Sequence, residues 1–208
     1  MPDTETYEHY EVLRRPTGEL WELGRGAMGV TYKALDKDLH CHVALKIIAP
    51  GLLDDEDALQ RFMREARSAA QLRHQNIATV FRLGKDAEGT HFYTMEFCEG
   101  KTLQETVEQQ GALSTELALE IALQVTRALV VAEQHQVVHR DLKPANLILT
   151  EGMGEGVVVK IIDFGLAKRT SGGDGWASMA HGGFIGTAHF ASPEQIEAGA
   201  GDTRSDIY

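Results

Sequence analysis

The chain has 208 residues, of which 43% are hydrophobic and 25% are charged, ordinary values for a globular protein with a sizeable core. No apolar run approaches the roughly 18 residues that a membrane helix needs, and the acidic, polar start is unlike a secretory signal, so we expect neither. A net charge of −11 argues against a nucleic-acid partner, and two cysteines without metal-type spacing indicate a reducing, cytoplasmic location.

The first hundred residues are dominated by segments that are typical of β-strands. Residues 12–15 and 20–23 flank a turn at Pro16, Thr17 and Gly18, which predicts that the domain opens with a hairpin. The further predicted strands are residues 30–35, 42–48, 77–83 and 90–97.

Helical patterns follow inside and after this strand-rich part. Residues 54–72 carry apolar side chains at helical spacing behind an acidic start, which suits the positive end of a helix dipole. Thr102 and Glu105 form a capping box for a short helix that ends near Gly111, and Ser114 begins a longer helix with an apolar stripe.

The last third of the chain contains two short predicted strands, followed by a predicted loop. Residues 147–149 and 157–162 are predicted strands, and residues 171–183 form a mobile loop rich in Gly, Ser and Ala. We therefore predict an α+β fold with two lobes. A tail of residues 1–9 precedes an antiparallel β lobe with one helix at residues 10–97, and residues 98–208 form a mainly helical lobe.

Gly24, Gly26 and Gly29 form a Gly-x-Gly-x-x-Gly run. Glycines allow backbone amides to approach phosphate oxygens closely, although the bare pattern is about as often a simple turn. In dinucleotide-binding domains such a run opens a helix, whereas residues 30–34 are strand-like here. The context favours a flap between two strands that lies over phosphates.

Two later pairs of polar residues are suited to phosphoryl chemistry. Lys46 lies in an apolar strand and Glu65 in the first predicted helix. A single lysine or glutamate at such a position is more often a solvated surface residue. An ion pair between the two, however, would hold the lysine against the phosphates of a nucleotide. Asp141 and Lys143 belong to a dense polar cluster in which Pro144 prevents a continuing helix. A carboxylate there is suited to accept a hydroxyl proton, and the lysine to neutralise phosphoryl charge.

Two further polar residues could supply oxygen ligands to a metal ion. Asn146 ends the polar cluster, and Asp163 follows a buried-looking strand, where a simple turn is the alternative interpretation. An amide and a carboxylate of this kind are ligands that Mg²⁺ accepts together with phosphate oxygens.

In order and spacing, these motifs resemble the Hanks-type serine/threonine protein kinases in a bacterial-looking version, from about Tyr10 to the last residue. The resemblance rests on the glycine run, Lys46, Glu65, His139-Arg140-Asp141, Asn146, Asp163-Phe164-Gly165 and Ser192-Pro193-Glu194. It implies a bilobal protein-kinase-like fold and an enzyme that transfers the γ-phosphoryl group of ATP to serine or threonine hydroxyls of proteins.

The resemblance also implies residue roles. Asp141, Lys143, Lys46 and Glu65 are the expected catalytic residues, with Lys46 and Glu65 as an ion pair. Asn146 and Asp163 are the expected ligands of Mg²⁺, with Mn²⁺ as a substitute. The expected ATP contacts are Leu23, Gly24, Gly26, Gly29, Thr31, Ala44, Lys46, Glu96, Cys98 and Ile148, with Met95 as the gatekeeper.

Substrate recognition and regulation follow from the same resemblance. Thr187 is expected in the pocket that receives the substrate serine or threonine. Because Arg140 precedes Asp141, we expect a phosphate in the activation segment, placed there by a kinase dimer that phosphorylates itself. The candidate phosphosites are Thr170, Ser171 and Ser178.

The sequence departs from the family pattern at several positions. Thr31 stands where valine is usual, and Thr102 where many eukaryotic members have a ribose-binding acid. Residues 203–208 resemble the start of the buried central helix of the large lobe, so we expect an incomplete lobe. The contacts through which Asp206 and Glu194 support this lobe in the family should be wholly or partly missing. We therefore expect the chain by itself to be poorly stable and weakly active or inactive.

Two other functions remain open from the sequence. A pseudokinase would use the fold as a binding scaffold, although such proteins typically lack residues like Lys46, Asp141 or Asp163, which are present here. A small-molecule phosphotransferase would share the catalytic Asp and Asn but not the long segment from Asp163 to Glu194 that docks a peptide.

Overall fold

The computed structural model of the protein describes residues 5–152, 156–164, 188–198 and 202–208. Within these residues, an antiparallel sheet of seven strands forms the first lobe, in the order β1-β2-β4-β5-β7-β6, with β3 paired to β4. The strands are β1 Thr6–Tyr7, β2 Tyr10–Val12, β3 Glu22–Gly26, β4 Gly29–Asp36, β5 Cys41–Ile48, β6 Val80–Lys85 and β7 His91–Glu96.

The opening of this sheet differs in detail from the predicted hairpin. The turn is present, because Arg14 pairs with Leu20 in an isolated bridge, but the continuous strands end at Val12 and resume at Glu22. Residues 6 and 7 of the expected tail pair with β2. The boundaries of the two lobes stay a prediction.

One helix packs on the sheet, as the sequence predicted. This helix, α1, spans Glu56–Ala69, and the side chain of Asp55 accepts hydrogen bonds from the amides of Asp57 and Ala58 at its start. Its buried face includes Phe62 and Ala66, which join a core with Tyr93 and Met95 from β7. The amphipathic spacing and the acidic cap, both read from the sequence, therefore determine where α1 lies and which face it buries.

The second lobe is mainly helical around a small sheet. The capping box between Thr102 and Glu105 is confirmed at the start of α2, Leu103–Gln110, and Ser114 caps α3, Thr115–Gln134. The remaining elements are β8 Lys101–Thr102, β9 Leu147–Glu151, β10 Val157–Ile161 and α4 Pro193–Ala198, with 3₁₀ turns at Pro144–Asn146, Ala188–Phe190 and Thr203–Asp206. The strand β9 pairs with β8 and β10.

The expected helix start at residues 203–208 is a 3₁₀ turn followed by Ile207 and Tyr208. None of the helices in the described ranges is long and apolar enough to cross a membrane. The expected mobile loop of residues 171–183 lies outside the described residues.

The segment between α1 and β6 joins the two lobes. Ile77 forms an isolated parallel bridge with Ile161 at the end of β10, and the amide of Ala78 donates to the Ile161 carbonyl at 2.9 Å. Asn76 is fully buried beside it, and its side-chain amide donates to the carbonyl of Val159 at 2.8 Å and to Gln124 of α3 at 2.7 Å. These bonds hold the end of β10, and the Asp163 that follows it, close to the sheet of the first lobe.

Candidate active site

The glycine run forms the tip of a hairpin between β3 and β4. Gly26 pairs with Gly29, and Met28 at the tip is buried against the first lobe. Gly29 has φ 140°, and a Cβ atom at this position would lie 1.9 Å from the carbonyl oxygen of Ile47. Glycine is therefore required for close packing of two strands, and the strand flap expected from the sequence is found instead of a helix start.

Strands β5 and β7 and the connection after β7 carry several of the expected ATP contacts. Ala44, Met95 and Cys98 are buried. Glu96 is fixed by its carboxylate, which lies 2.6 Å from the Nζ atom of Lys160. Burial, followed by the charge of Glu96, raises the pKa of the Cys98 thiol to about 12, so this cysteine is a neutral, small apolar residue rather than a reactive thiolate.

The other expected contacts lie on strands that border this connection or the glycine hairpin. Leu23 is exposed on β3, and Thr31 on β4 is paired in register with Lys46 of β5. Ile148 is half-buried on β9, where it pairs with Thr102 of β8.

The ion pairs around Lys46 differ from the expected pairing. The Nζ atom of Lys46 lies 2.5 Å from Oδ2 of Asp163. Glu65 instead accepts from the guanidinium of Arg140 at 3.2 Å. Among the described residues, Lys46 and Glu65 of the first lobe are thus paired with Asp163 and Arg140 of the second lobe, in place of the expected pair of Lys46 with Glu65. Because either way of pairing these two cations with the two carboxylates neutralises all four charges, the motif spacing alone did not determine which pairs form.

Asp163 is held as a buried carboxylate by two donors. Besides Lys46, the hydroxyl of Tyr93 donates to Oδ1 of Asp163 at 2.7 Å. Burial alone would raise the pKa of Asp163, but the charge of Lys46 and the hydrogen bonds from Lys46 and Tyr93 lower it below its ordinary 3.8. Asp163 is therefore ionised, as a cation ligand must be.

Tyr93 belongs to none of the sequence motifs described above. One signal could have found it: a phenol in an apolar strand needs a hydrogen-bond partner once it is buried.

The polar cluster of the second lobe brings its three predicted residues together. The Nζ atom of Lys143 lies 2.8 Å from Oδ2 of Asp141. The side-chain amide of Asn146 donates to the main-chain carbonyl of Asp141 at 2.7 Å and to its Oδ2 at 3.3 Å. The other carboxylate oxygen, Oδ1, is buried without a hydrogen-bond partner among the described residues. Such an orphaned acceptor is costly unless a ligand satisfies it, which indicates a binding role.

These residues fit a divalent cation that is shared with phosphates. With its nitrogen donating to Asp141, Asn146 keeps its amide oxygen as the remaining acceptor, and Asp163 supplies a carboxylate. No group of three or more His, Cys, Asp or Glu side chains within the described ranges could hold a metal by itself. Magnesium is usually bound through one or two carboxylates together with substrate phosphates, and this donor set has that form.

The polar cluster is supported by Asp206, contrary to our expectation that this support would be wholly or partly missing. Its carboxylate accepts from the amide of His139 at 2.6 Å and from the amide of Arg140 at 2.7 Å. Gln195 adds a bond to the carbonyl of Arg140 at 3.0 Å. Glu194, expected to lack its partner, accepts a hydrogen bond from Ser205. These bonds hold Arg140, whose φ of 65° is in the left-handed region that non-glycine residues rarely adopt.

His139 connects the polar cluster to Ile162 and Phe164, the residues on either side of Asp163. Its Nδ1 accepts from the amide of Asp141 at 3.2 Å, so the proton is on Nε2, which lies 3.0 Å from the carbonyl of Ile162. Burial lowers the pKa of His139, consistent with this neutral ring. The ring also packs edge-on against Phe164, with centroids 4.8 Å apart.

Gly165, the substrate-pocket residue Thr187 and the candidate phosphosites Thr170, Ser171 and Ser178 lie outside the described residues.

Comparison with known proteins gives consistent matches. A family model described as a protein kinase domain matches residues 18–208. The chain is 37% identical over 200 residues to the serine/threonine-protein kinase PrkC of Bacillus subtilis, covering 96% of this chain and 28% of PrkC. It is 35% identical over 208 residues to the serine/threonine-protein kinase pkn3 of Myxococcus xanthus, covering 100% of this chain and 38% of pkn3. The chain thus spans well under half the length of either relative.

Solved structures show the same similarity in three dimensions. The kinase domain of PknI from Mycobacterium tuberculosis superimposes with a TM-score of 0.72 at 29% identity, covering all of this chain and 71% of that one. A double mutant of the same domain gives a TM-score of 0.73 at 28% identity, covering 99% of this chain and 71% of that chain.

Proposed function

The chain belongs to the protein kinase domain family and has its bilobal α+β fold, and from this premise we propose that it transfers the γ-phosphoryl group of ATP to serine or threonine hydroxyls of proteins. The observation that carries this proposal is the environment of Asp141. One of its oxygens is held by Lys143 and Asn146, while the other is buried and lacks a partner among the described residues.

Asp141 is arranged to receive a substrate hydroxyl. Its free oxygen can accept the hydroxyl proton as the oxygen attacks the γ-phosphorus. Lys143, already 2.8 Å from the same carboxylate, is placed to neutralise charge on the phosphoryl group as it moves. Positioning and charge neutralisation are the main contributions that a protein makes to this reaction.

The nucleotide side of the site is built from both lobes. We propose that the glycine hairpin covers the phosphates, that Lys46 binds the α- and β-phosphates, and that Asn146 and Asp163 hold the metal. Kinases use ATP with divalent metal ions, and we propose Mg²⁺ here because the available ligands are hard oxygens. The metal supplies positive charge that stabilises the transferring phosphates.

A pseudokinase or scaffold is disfavoured by the same geometry. Lys46, Asp141, Asn146 and Asp163 are all present, and each has the contacts described above. A small-molecule phosphotransferase is disfavoured because the matched relatives are named serine/threonine-protein kinases over nearly the whole chain.

Regulation and partners belong to the proposal as well. We propose that Thr187 contacts the substrate residue and that Thr170, Ser171 or Ser178 is phosphorylated between two copies of the kinase. A phosphate in this segment would compete with Glu65 for the guanidinium of Arg140, since the two now lie 3.2 Å apart.

The partner should be a protein and not a nucleic acid, because the chain has a net charge of −11. A reducing cytoplasmic compartment suits the two free cysteines, Cys41 and Cys98.

The substitution Asp141→Asn tests the proposal. We expect turnover of a serine- or threonine-containing protein to fall by roughly 10²–10⁴-fold, because an amide cannot accept the proton, while ATP affinity stays unchanged. The matched control is Asp38→Asn, which alters an exposed aspartate away from the site and should retain full activity. An Asp141→Asn protein that keeps most of its activity would contradict the assigned role.

A further inference from the structure

Tyr93 occupies an apolar environment that does not by itself favour a hydroxyl group. The residue lies in β7 and its side chain is fully buried. Its ring packs against Phe62 of α1, with centroids 6.3 Å apart, inside a core cluster that also contains Met28. A buried phenol without a partner would be destabilising, so the position of its hydroxyl identifies the group that it serves.

That group is the carboxylate of Asp163, reached through the register of the sheet. Lys46 of β5 and Tyr93 of β7 are directly opposite each other, so their side chains lie on the same face. The Lys46 ammonium lies 5.8 Å from the centre of the Tyr93 ring. From these neighbouring positions, Lys46 donates to Oδ2 of Asp163 at 2.5 Å, and Tyr93 donates to Oδ1 at 2.7 Å.

Two donors on two different oxygens fix the rotation of a carboxylate, which one donor does not. Lys46 is a single charge on a flexible stem, whereas the phenol of Tyr93 is rigid and locked by its packing. Glu65, which we expected to restrain Lys46, pairs with Arg140 in this structure. Asp163 itself has φ 61°, a left-handed backbone conformation that needs support from its surroundings.

We propose that Tyr93 is a positioning residue: its hydroxyl fixes the orientation in which the Asp163 carboxylate binds a divalent cation together with nucleotide phosphates. The inference rests on the proposed function and adds to it a residue that acts through the metal ligand. Hydrogen bonds to the ligands of a metal site commonly change metal affinity by about 10- to 100-fold.

The experiment measures how strongly Mg²⁺ and ADP enhance each other's binding. ADP affinity is determined by calorimetry with Mg²⁺ and with a chelator, for the wild-type protein and for Tyr93→Phe, and the ratio of the two affinities gives the coupling. We expect the coupling to fall by about tenfold in Tyr93→Phe, while the affinity without metal stays within about twofold. This readout does not depend on turnover.

Tyr10→Phe is the matched control. Tyr10 is also a buried tyrosine of the same sheet, but its hydroxyl accepts from Thr94 at 3.4 Å and does not touch Asp163. The Tyr10→Phe variant should therefore leave the coupling between Mg²⁺ and ADP unchanged. Melting temperatures of both variants are measured alongside.

The inference is overturned if Tyr93→Phe shows wild-type coupling. It is also overturned if the affinities with and without Mg²⁺ fall equally as the melting temperature drops, because that pattern indicates a purely structural role. If the wild-type protein shows no Mg²⁺-enhanced ADP binding at all, the proposed function itself fails and this inference fails with it. Those two failures are therefore distinguishable.

Discussion

Replacing Asp206 by asparagine tests whether one buried carboxylate holds residues 139–141 in place. Its two oxygens accept from the backbone amides of His139 and Arg140, at 2.6 and 2.7 Å. Asparagine has the same shape but only one accepting oxygen, so its amide nitrogen would face one of these N–H groups. One charge-assisted hydrogen bond is lost and the other becomes a neutral one.

The expected cost follows from these two bonds. A hydrogen bond to a charged group contributes about 1.5–3 kcal/mol, and a buried donor left without a partner costs about 1–3 kcal/mol. The substitution should therefore lower the free energy of unfolding by roughly 2–4 kcal/mol. For a domain of this size, that corresponds to a drop in melting temperature of roughly 5–15 °C.

Activity should fall further than stability alone explains. The left-handed conformation of Arg140 costs about 1–2 kcal/mol and is held by bonds from Asp206 and Gln195. Once the Asp206 bond is weakened, Asp141, the next residue, loses its fixed position. Turnover should then fall well below wild type even at temperatures where the variant is fully folded.

The assay is urea-induced unfolding together with phosphoryl transfer, with Asp202→Asn as the matched control. Asp202 is exposed, caps the turn in which Asp206 lies and pairs with Arg204, and asparagine caps as well as aspartate does. The control should change stability by no more than about 0.5 kcal/mol. If Asp206→Asn unfolds at the same urea concentration as this control, the carboxylate does not support the loop and the reasoning is wrong.

Two more predictions concern the glycine hairpin and the buried histidine. Gly29→Ala should lower both stability and nucleotide affinity, because the added Cβ would lie 1.9 Å from the Ile47 carbonyl. Melting with and without ADP measures both, and Gly24→Ala, with open space around the added Cβ, is the control for the loss of stability. His139 has a pKa lowered by burial, so it contributes stability that is present above pH 6.5 and is lost as the pH falls through its folded-state pKa. Urea unfolding of wild type and His139→Phe should show their stability difference shrinking below pH 6.5 by up to about 1.4 kcal/mol per pH unit, whereas a constant difference would contradict the neutral buried ring.

Local signals in the sequence were sufficient for much of the fold. The capping box of Thr102 and Glu105 and the cap at Ser114 begin α2 and α3 where the sequence placed them, because capping involves atoms only three residues apart. The same holds for α1, which is shorter than predicted at both ends but has the expected buried face. The strand-like residues after Gly29 correctly distinguished a hairpin from the helix start of a dinucleotide-binding domain.

Errors arose where a local pattern did not determine pairing with a distant segment. The strands of the opening hairpin were displaced by a few residues, because their ends depend on pairing with β4. We expected a helix to start at residues 203–208 and the support from Asp206 to be wholly or partly missing. The structure has a 3₁₀ turn at Thr203–Asp206 instead. Its position beneath His139 is a tertiary contact between segments more than 60 residues apart, which the residue pattern does not contain.

The sequence by itself determined which residues are candidates for the chemistry of the site, because their types and order are properties of the chain. Only the tertiary structure decided which of them meet. Lys46 bonds Asp163, Arg140 bonds Glu65, and Tyr93 enters the site through its register opposite Lys46. A charged side chain is attracted to every nearby group of opposite charge. Which ion pair forms therefore depends on differences in distance of a few ångströms, and these are set by the packing of α1, the sheet and the second lobe.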